Sequence, residues 1–252
     1  MTAALSPPRN PQEFSAAGAK GIKVCKQMEY IELKNFSHTA AADGRRMEFN
    51  FKNRSVVSEG VSPDIVFIGD SITHMWELQA YFRGLGKYII NRGIGGDVSG
   101  FLLRRIRADA LALSPKQVVL LIGINDLNQA MGDVWWREKG RDLGELLDEY
   151  RSNMKLIAEN CAAAGARTAL CSLLPVSYPE IFNGSAIKDA VLEANVFLKE
   201  LAARFGFEFV DYHSAMCGED GKTLRKGLAQ DGLHPNAEGY RIMADVLMPL
   251  LK

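Results

Sequence analysis

Four short segments of this chain carry side chains suited to nucleophilic acyl chemistry. In Gly69-Asp70-Ser71-Ile72-Thr73 a serine follows a short apolar run and opens a helical stretch. N–H groups at a helix start can hold an anion, so attack by such a serine would generate its oxyanion beside ready donors. Ser71 can equally be a plain N-cap, since serine is a preferred capping residue. The strand–turn–helix elbow G-x-S-x-G is not met, because Thr73 stands at the final glycine position. In Asn91-Arg92-Gly93-Ile94-Gly95-Gly96-Asp97-Val98-Ser99-Gly100, the glycines allow either a backbone N–H pointing into a pocket or merely a tight turn. G-x-G-x-x-G fails there, because Val98 occupies the third glycine position. In Gly123-Ile124-Asn125-Asp126, Asn125 either makes a turn or aims its amide at developing charge. Finally, Asp231-Gly232-Leu233-His234-Pro235 spaces a carboxylate three residues before a histidine. Gly232 lets the chain turn so that Asp231 can accept from Nδ1–H of His234, which leaves Nε2 free as a base.

These segments need elements to hold them together. Residues 64–69, 87–91, 117–123, 167–173 and 207–211 are short apolar runs, the pattern of strands buried on both faces. Between them, 98–113, 142–164, 185–205 and 236–251 repeat apolar residues at helical spacing, with Gly165 and Gly206 as C-caps and Pro235 as the first residue of the last helix. Strands alternating with helices give an α/β fold, a five-stranded parallel sheet covered on both faces. Ligands bind beyond the carboxyl ends of such strands, where all four segments lie. Residues 1–60 lack sustained periodicity and are expected to form an N-terminal arm with one or two short strands, which leaves 61–252 as the main domain.

Composition narrows the function. There are 30 Lys+Arg against 30 Asp+Glu, so net charge is zero and a nucleic-acid partner is excluded. The pairs Arg45-Arg46 and Arg104-Arg105 are expected on solvated faces. The four cysteines have neither zinc-ligand spacing nor the density of a disulfide framework, so no metal is expected. No apolar run approaches the ~20 residues of a membrane span, and Pro7, Pro8 and Pro11 interrupt any signal-peptide core, so a cytoplasmic location is expected.

Together the four segments resemble the signature blocks of the GDSL/SGNH hydrolases, with platelet-activating-factor acetylhydrolase-like members as the nearest comparison. The match runs over about 64–251, with all blocks in order. The resemblance implies a three-layer α/β/α sandwich of flavodoxin-like order. It implies Ser71, His234 and Asp231 as catalytic residues, and Ser71, Gly96 and Asn125 as the oxyanion hole. No cofactor follows from it. Ile72 stands where the family name has leucine, and His74-Met75-Trp76 departs from the smaller or acidic residues usual there, which alters the pocket wall. Asp70, His74, Trp76, Trp135, Trp136 and Tyr178 are expected to line the pocket, although Trp135 and Trp136 could as well pack a helix end or a subunit interface. The implied activity is hydrolysis of carboxylic esters, with short O-acyl groups such as acetyl on carbohydrates or small molecules favoured. The alternatives are a non-catalytic ester or glycan binder, for which Asp231 behind His234 would be superfluous, and a longer-chain lipase or lysophospholipase. The N-terminal arm could serve homo-oligomerisation.

Overall fold

The computed structural model of the chain describes residues 28–33, 40–132 and 140–251. In chain order the elements begin with α1 (Ala40–Ser58), β1 (Ile65–Gly69), α2 (Ser71–His74), α3 (Leu78–Phe82) and β2 (Ile89–Gly93). Then come α4 (Ser99–Asp109), β3 (Gln117–Leu121), α5 (Ile124–Asn128) and α6 (Leu143–Ala164). The last are β4 (Arg167–Cys171), α7 (Gly184–Phe205), β5 (Glu208–Val210), α8 (Tyr212–Met216) and α9 (Ala237–Leu247). All strand pairs are parallel, in the order β2-β1-β3-β4-β5. Helices on both faces complete the three-layer α/β/α sandwich. No helix among the described residues is long and apolar enough to cross a membrane.

The buried runs explain the sheet. Every residue of β1 and β3 is buried, and each large aliphatic there contributes roughly 1.5–3 kcal/mol by leaving water. On one face, α6 packs between α4 and α7. On the other, α9 packs with α3 and α8 around Phe67 of β1 and a group of aromatic rings. Because β1 lies between β2 and β3, chain connections leave it in opposite directions, and a crevice opens at the carboxyl ends of β1 and β3.

Three expectations are corrected. The strands expected before residue 60 are absent among its described residues, and a 19-residue helix, α1, stands there instead. Its inward face is Ala42, Arg46, Phe49, Asn53 and Val56, at helical spacing but with two polar members. Asn53 donates to Ala108 O and Asp109 and accepts from Arg92, whose guanidinium lies 5.0 Å from the Phe49 ring centroid. The arginine pairs also differ from expectation, since Arg46 and Arg105 are wholly buried rather than solvated. Pro235 falls one residue outside α9, because Asn236 is the N-cap and accepts from the N–H groups of Glu238 and Gly239.

Candidate active site

The turn from β1 into α2 places Ser71 at the crevice. Asp70, not Ser71, is the N-cap, and its Oδ1 accepts from Ile72 N–H at 2.9 Å. Ser71 is therefore the first residue of α2, with a hydroxyl free of capping duty and an N–H that has no intrahelical acceptor. From 163 residues further along the chain, His234 meets it: the Ser71 hydroxyl donates to Nε2 at 2.9 Å. On the other side of the ring, Nδ1 donates to Asp231 Oδ2 at 2.5 Å. A carboxylate only accepts, so the Nδ1 proton is fixed and Nε2 keeps its lone pair toward the serine.

The Asp231 turn is held by its own carboxylate. Oδ1 accepts from the N–H groups of Leu233 at 3.0 Å and His234 at 2.8 Å. Gly232 takes φ +77°, and a Cβ there would lie 2.5 Å from Ser177 O, so only glycine fits. Its carbonyl accepts from Ser177 N–H at 2.8 Å, which straps the segment carrying Tyr178 to this turn. Burial pushes the Asp231 carboxyl up, but the hydrogen bonds from the His234 ring and the two backbone N–H groups outweigh it, leaving the group below its ordinary value.

The loop after β2 brings Gly95 and Gly96 alongside. A Cβ on Gly95 would stand 4.0 Å from Ser71 Cβ and 3.7 Å from His74 Nδ1, so this backbone lies against the serine. Gly96 has φ +76°, a left-handed conformation open to glycine at little cost. The Asn125 amide, at the start of α5, donates to Asp97 O at 3.0 Å. One of its two N–H groups is thereby tied to the residue after Gly96.

The six residues expected to line the pocket fare differently. Asp70 is buried beneath the turn rather than on a wall. Trp76 is also almost wholly buried, stacked on Tyr240 at 5.4 Å and edge-on to Phe67 and Tyr212. Exposed His74 borders a cavity of about 240 Å³ together with Trp76 and with Arg45 of α1. Partial desolvation of the ring first, and the Arg45 charge second, hold its imidazole below the ordinary value. Tyr178 is half-buried, its hydroxyl accepts from Asn128 at 3.2 Å, and burial lifts the phenol to about 12 with Asp231 and Asp70 adding to the rise. Trp135 and Trp136 lie outside the described residues. Among the described residues no group of three or more His, Cys, Asp or Glu side chains is placed to hold a metal ion.

Two supporting roles escape motif reading. Tyr240 of α9 donates to Ile72 O at 2.8 Å and anchors α2. Asp126, beside Asn125, accepts from both N–H and hydroxyl of Ser99, at 2.9 and 2.5 Å, and so ties α5 to the start of α4. Burial lifts the Asp126 carboxyl to about 6 despite these bonds.

Burial likewise lifts Asp70, from 3.8 to about 7, against the lowering hydrogen bond from Ile72. Between those values the folded chain binds more protons at this site than the unfolded chain, so its contribution to stability falls as pH rises through that window. Asp70→Asn keeps the cap and removes the ionisation. The melting-temperature difference, variant minus wild type, should therefore be more positive at about pH 8 than at about pH 5. Equal differences at both pH values would show that Asp70 does not ionise on this schedule.

The sequence model of the GDSL-like Lipase/Acylhydrolase family matches residues 67–242, which contain all of these site residues. The chain is 27% identical over 210 residues to the acetylxylan esterase of Geobacillus stearothermophilus, covering 73% of this chain and 92% of that protein. It is 26% identical over 153 residues to the acetylxylan esterase of Xylanibacter ruminicola, covering 57% of this chain but only 30% of that longer protein. A solved structure from Streptococcus pneumonia, a candidate platelet activating factor protein, is similar with a TM-score of 0.68 at 27% identity, covering 84% of this chain and 93% of that one.

Proposed function

Because the chain belongs to the GDSL-like lipase/acylhydrolase family and is a carboxylic ester hydrolase, we propose that it works as a serine esterase through an acyl-enzyme on Ser71, with short O-acyl groups on carbohydrates or small molecules as substrates. The observation that carries this reading is the unbroken line from Ser71 Oγ through His234 to Asp231, at 2.9 and 2.5 Å. As Oγ attacks the ester carbonyl carbon, its proton passes to His234 Nε2, and Asp231 stabilises the imidazolium that forms. The N–H groups of Ser71 and Gly96 and the remaining amide N–H of Asn125 receive the oxyanion. His234 then gives its proton to the departing alcohol oxygen as the C–O bond breaks. Water, deprotonated by the same nitrogen, splits the acyl-enzyme into free carboxylic acid and Ser71.

Short acyl groups are supported by the two acetylxylan esterases among the relatives. A p-nitrophenyl ester series, run beside acetylated xylo-oligosaccharides, tests this. Turnover should be highest for acetate and fall with chain length, with acetate released from the oligosaccharide. A maximum at a long-chain ester, with no acetate released, would replace this substrate class by the lipase alternative.

Asn125 separates catalysis from binding. An oxyanion donor acts chiefly in the transition state, so Asn125→Ala should lower kcat by roughly 10²–10³ while KM moves little. Loss of its bond to Asp97 O should also cost about 0.5–1.5 kcal/mol of stability. A lower melting temperature with kcat intact would make Asn125 a structural residue only. Weaker ligand binding with no turnover to lose would mark a binder.

A further inference from the structure

Arg105 sits behind the two loops that carry the proposed backbone donors, touching neither Ser71 nor the place a substrate would occupy. It lies in the middle of α4 and is fully buried. A guanidinium has five N–H donors in a planar fork, and this one makes five hydrogen bonds. Nε and Nη2 both donate to Asp97 Oδ2, at 2.8 and 2.6 Å. Nη2 also donates to Gly69 O at 3.0 Å, and Nη1 donates to Arg92 O at 2.8 Å and Asp109 Oδ2 at 3.3 Å.

Three of these acceptors stand on the donor-bearing loops or on the strand ends that lead into them. Gly69 is two residues before Ser71, Asp97 directly follows Gly96, and Arg92 lies near the end of β2 where the second loop begins. The Asp97 carbonyl in turn holds the Asn125 amide at 3.0 Å. One rigid fork thus connects the backbone beside all three proposed oxyanion donors. Those donors belong to different loops; the Ile94 N–H joins the first two at Gly69 O, at 3.0 Å, and Arg105 extends that link to the Asp97 side chain beyond Gly96. Preorganisation to within about 0.5 Å is what makes such a hole effective.

From this geometry we infer that Arg105 is the positioning residue of the oxyanion hole, setting the distance between the Ser71 and Gly96 N–H groups through Gly69 O and Asp97. The inference rests on the reading of Ser71, Gly96 and Asn125 as those donors. Asp109 provides an internal contrast. It meets the same guanidinium and is equally buried, but it lies at the far end of α4 with Arg46 and Asn53. Its bond stabilises the fold without reaching a catalytic loop.

Four variants test this: Arg105→Lys, Asp97→Asn, Asp109→Asn and Ser71→Ala. Each is measured for kcat and KM on p-nitrophenyl acetate, for the acid limb of its pH profile, and for melting temperature. Lysine keeps the charge but carries three donors on a single nitrogen, so it cannot reach the separate positions that Nε, Nη1 and Nη2 of the planar fork hold. Folded Arg105→Lys and Asp97→Asn should lose about 10- to 100-fold in kcat, with KM within about twofold and an unmoved acid limb. Asp109→Asn should melt lower yet keep its kcat. Should Arg105→Lys fail to fold, Asp97→Asn against Asp109→Asn decides. A folded Asp97→Asn with wild-type kcat overturns the inference, and so does equal loss of folding in both carboxamide variants, which would assign Arg105 to stability alone. If Ser71→Ala stays active, the reading of the site itself falls. If Ser71→Ala is inactive while the Arg105 and Asp97 variants keep kcat, only the positioning role falls.

Discussion

Replacing Ser71 by alanine should lower kcat by about 10⁴-fold or more while leaving the fold intact. The substitution removes one oxygen, and with it the hydrogen bond from the serine hydroxyl to His234 Nε2. Asp70 supplies the cap of α2, Tyr240 anchors that helix at Ile72 O, and neither depends on the hydroxyl. Stability should therefore change little. Without Oγ no acyl-enzyme can form, and the oxyanion donors act only on direct attack by water. The check is kcat on a short-chain ester beside the melting temperature. Activity retained within about tenfold, in a variant that melts normally, would remove Ser71 as nucleophile.

The second large effect belongs to Asp231→Asn, expected to cost up to about 10⁴-fold in kcat. The reason lies in how the carboxylate is used. Oδ1 already accepts from the backbone N–H groups of Leu233 and His234, so an asparagine would turn its carbonyl oxygen to that side. Its NH₂ group would then face His234 Nδ1, which must become the acceptor. The ring proton moves to Nε2, where it can no longer take the proton of Ser71. In the wild type the hydrogen bonds hold the Asp231 carboxyl below its ordinary value, which favours the carboxylate that accepts from Nδ1. A loss below about tenfold in Asp231→Asn would show that the carboxylate is dispensable for orienting the ring.

What was legible in the sequence followed the apolar signal. Five strands buried on both faces announce themselves as uninterrupted apolar runs, and all five stand within a few residues of where 64–69, 87–91, 117–123, 167–173 and 207–211 put them. The two long amphipathic helices, α6 and α7, end at the glycines expected to cap them. The four motif segments lie at the carboxyl ends of β1, β2 and β3 and before α9, and the structure brings Ser71, His234 and Asp231 into one hydrogen-bonded line.

What was not legible is where polar residues form the interior. Helix α1 hides because Arg46 and Asn53 stand on its buried face, so hydropathy carries no period there. The end of β2 is obscured in the same way, since Asn91 and Arg92 interrupt the apolar run although Arg92 is buried on Asn53 and Phe49. A paired arginine such as Arg104-Arg105 reads as surface, because nothing local reports that Asp97 and Asp109 will enclose one of the two. The role of Asp70 as N-cap depends on backbone geometry that places Ser71 one position further in. Trp76 does edge the cavity beside His74, but Tyr240 and Tyr212, more than a hundred residues away, bury most of it.

The central claim, that His234 activates Ser71 as the nucleophile, is tested most directly by the site of covalent capture. Diisopropyl fluorophosphate is incubated with the wild type, Ser71→Ala and His234→Ala, and each adduct is mapped by peptide mass while residual esterase activity is followed. The account predicts a single adduct on Ser71 that forms in step with loss of activity, none on Ser71→Ala, and much slower capture in His234→Ala. An adduct on another residue accompanied by loss of activity, or equal capture with and without His234, would contradict it.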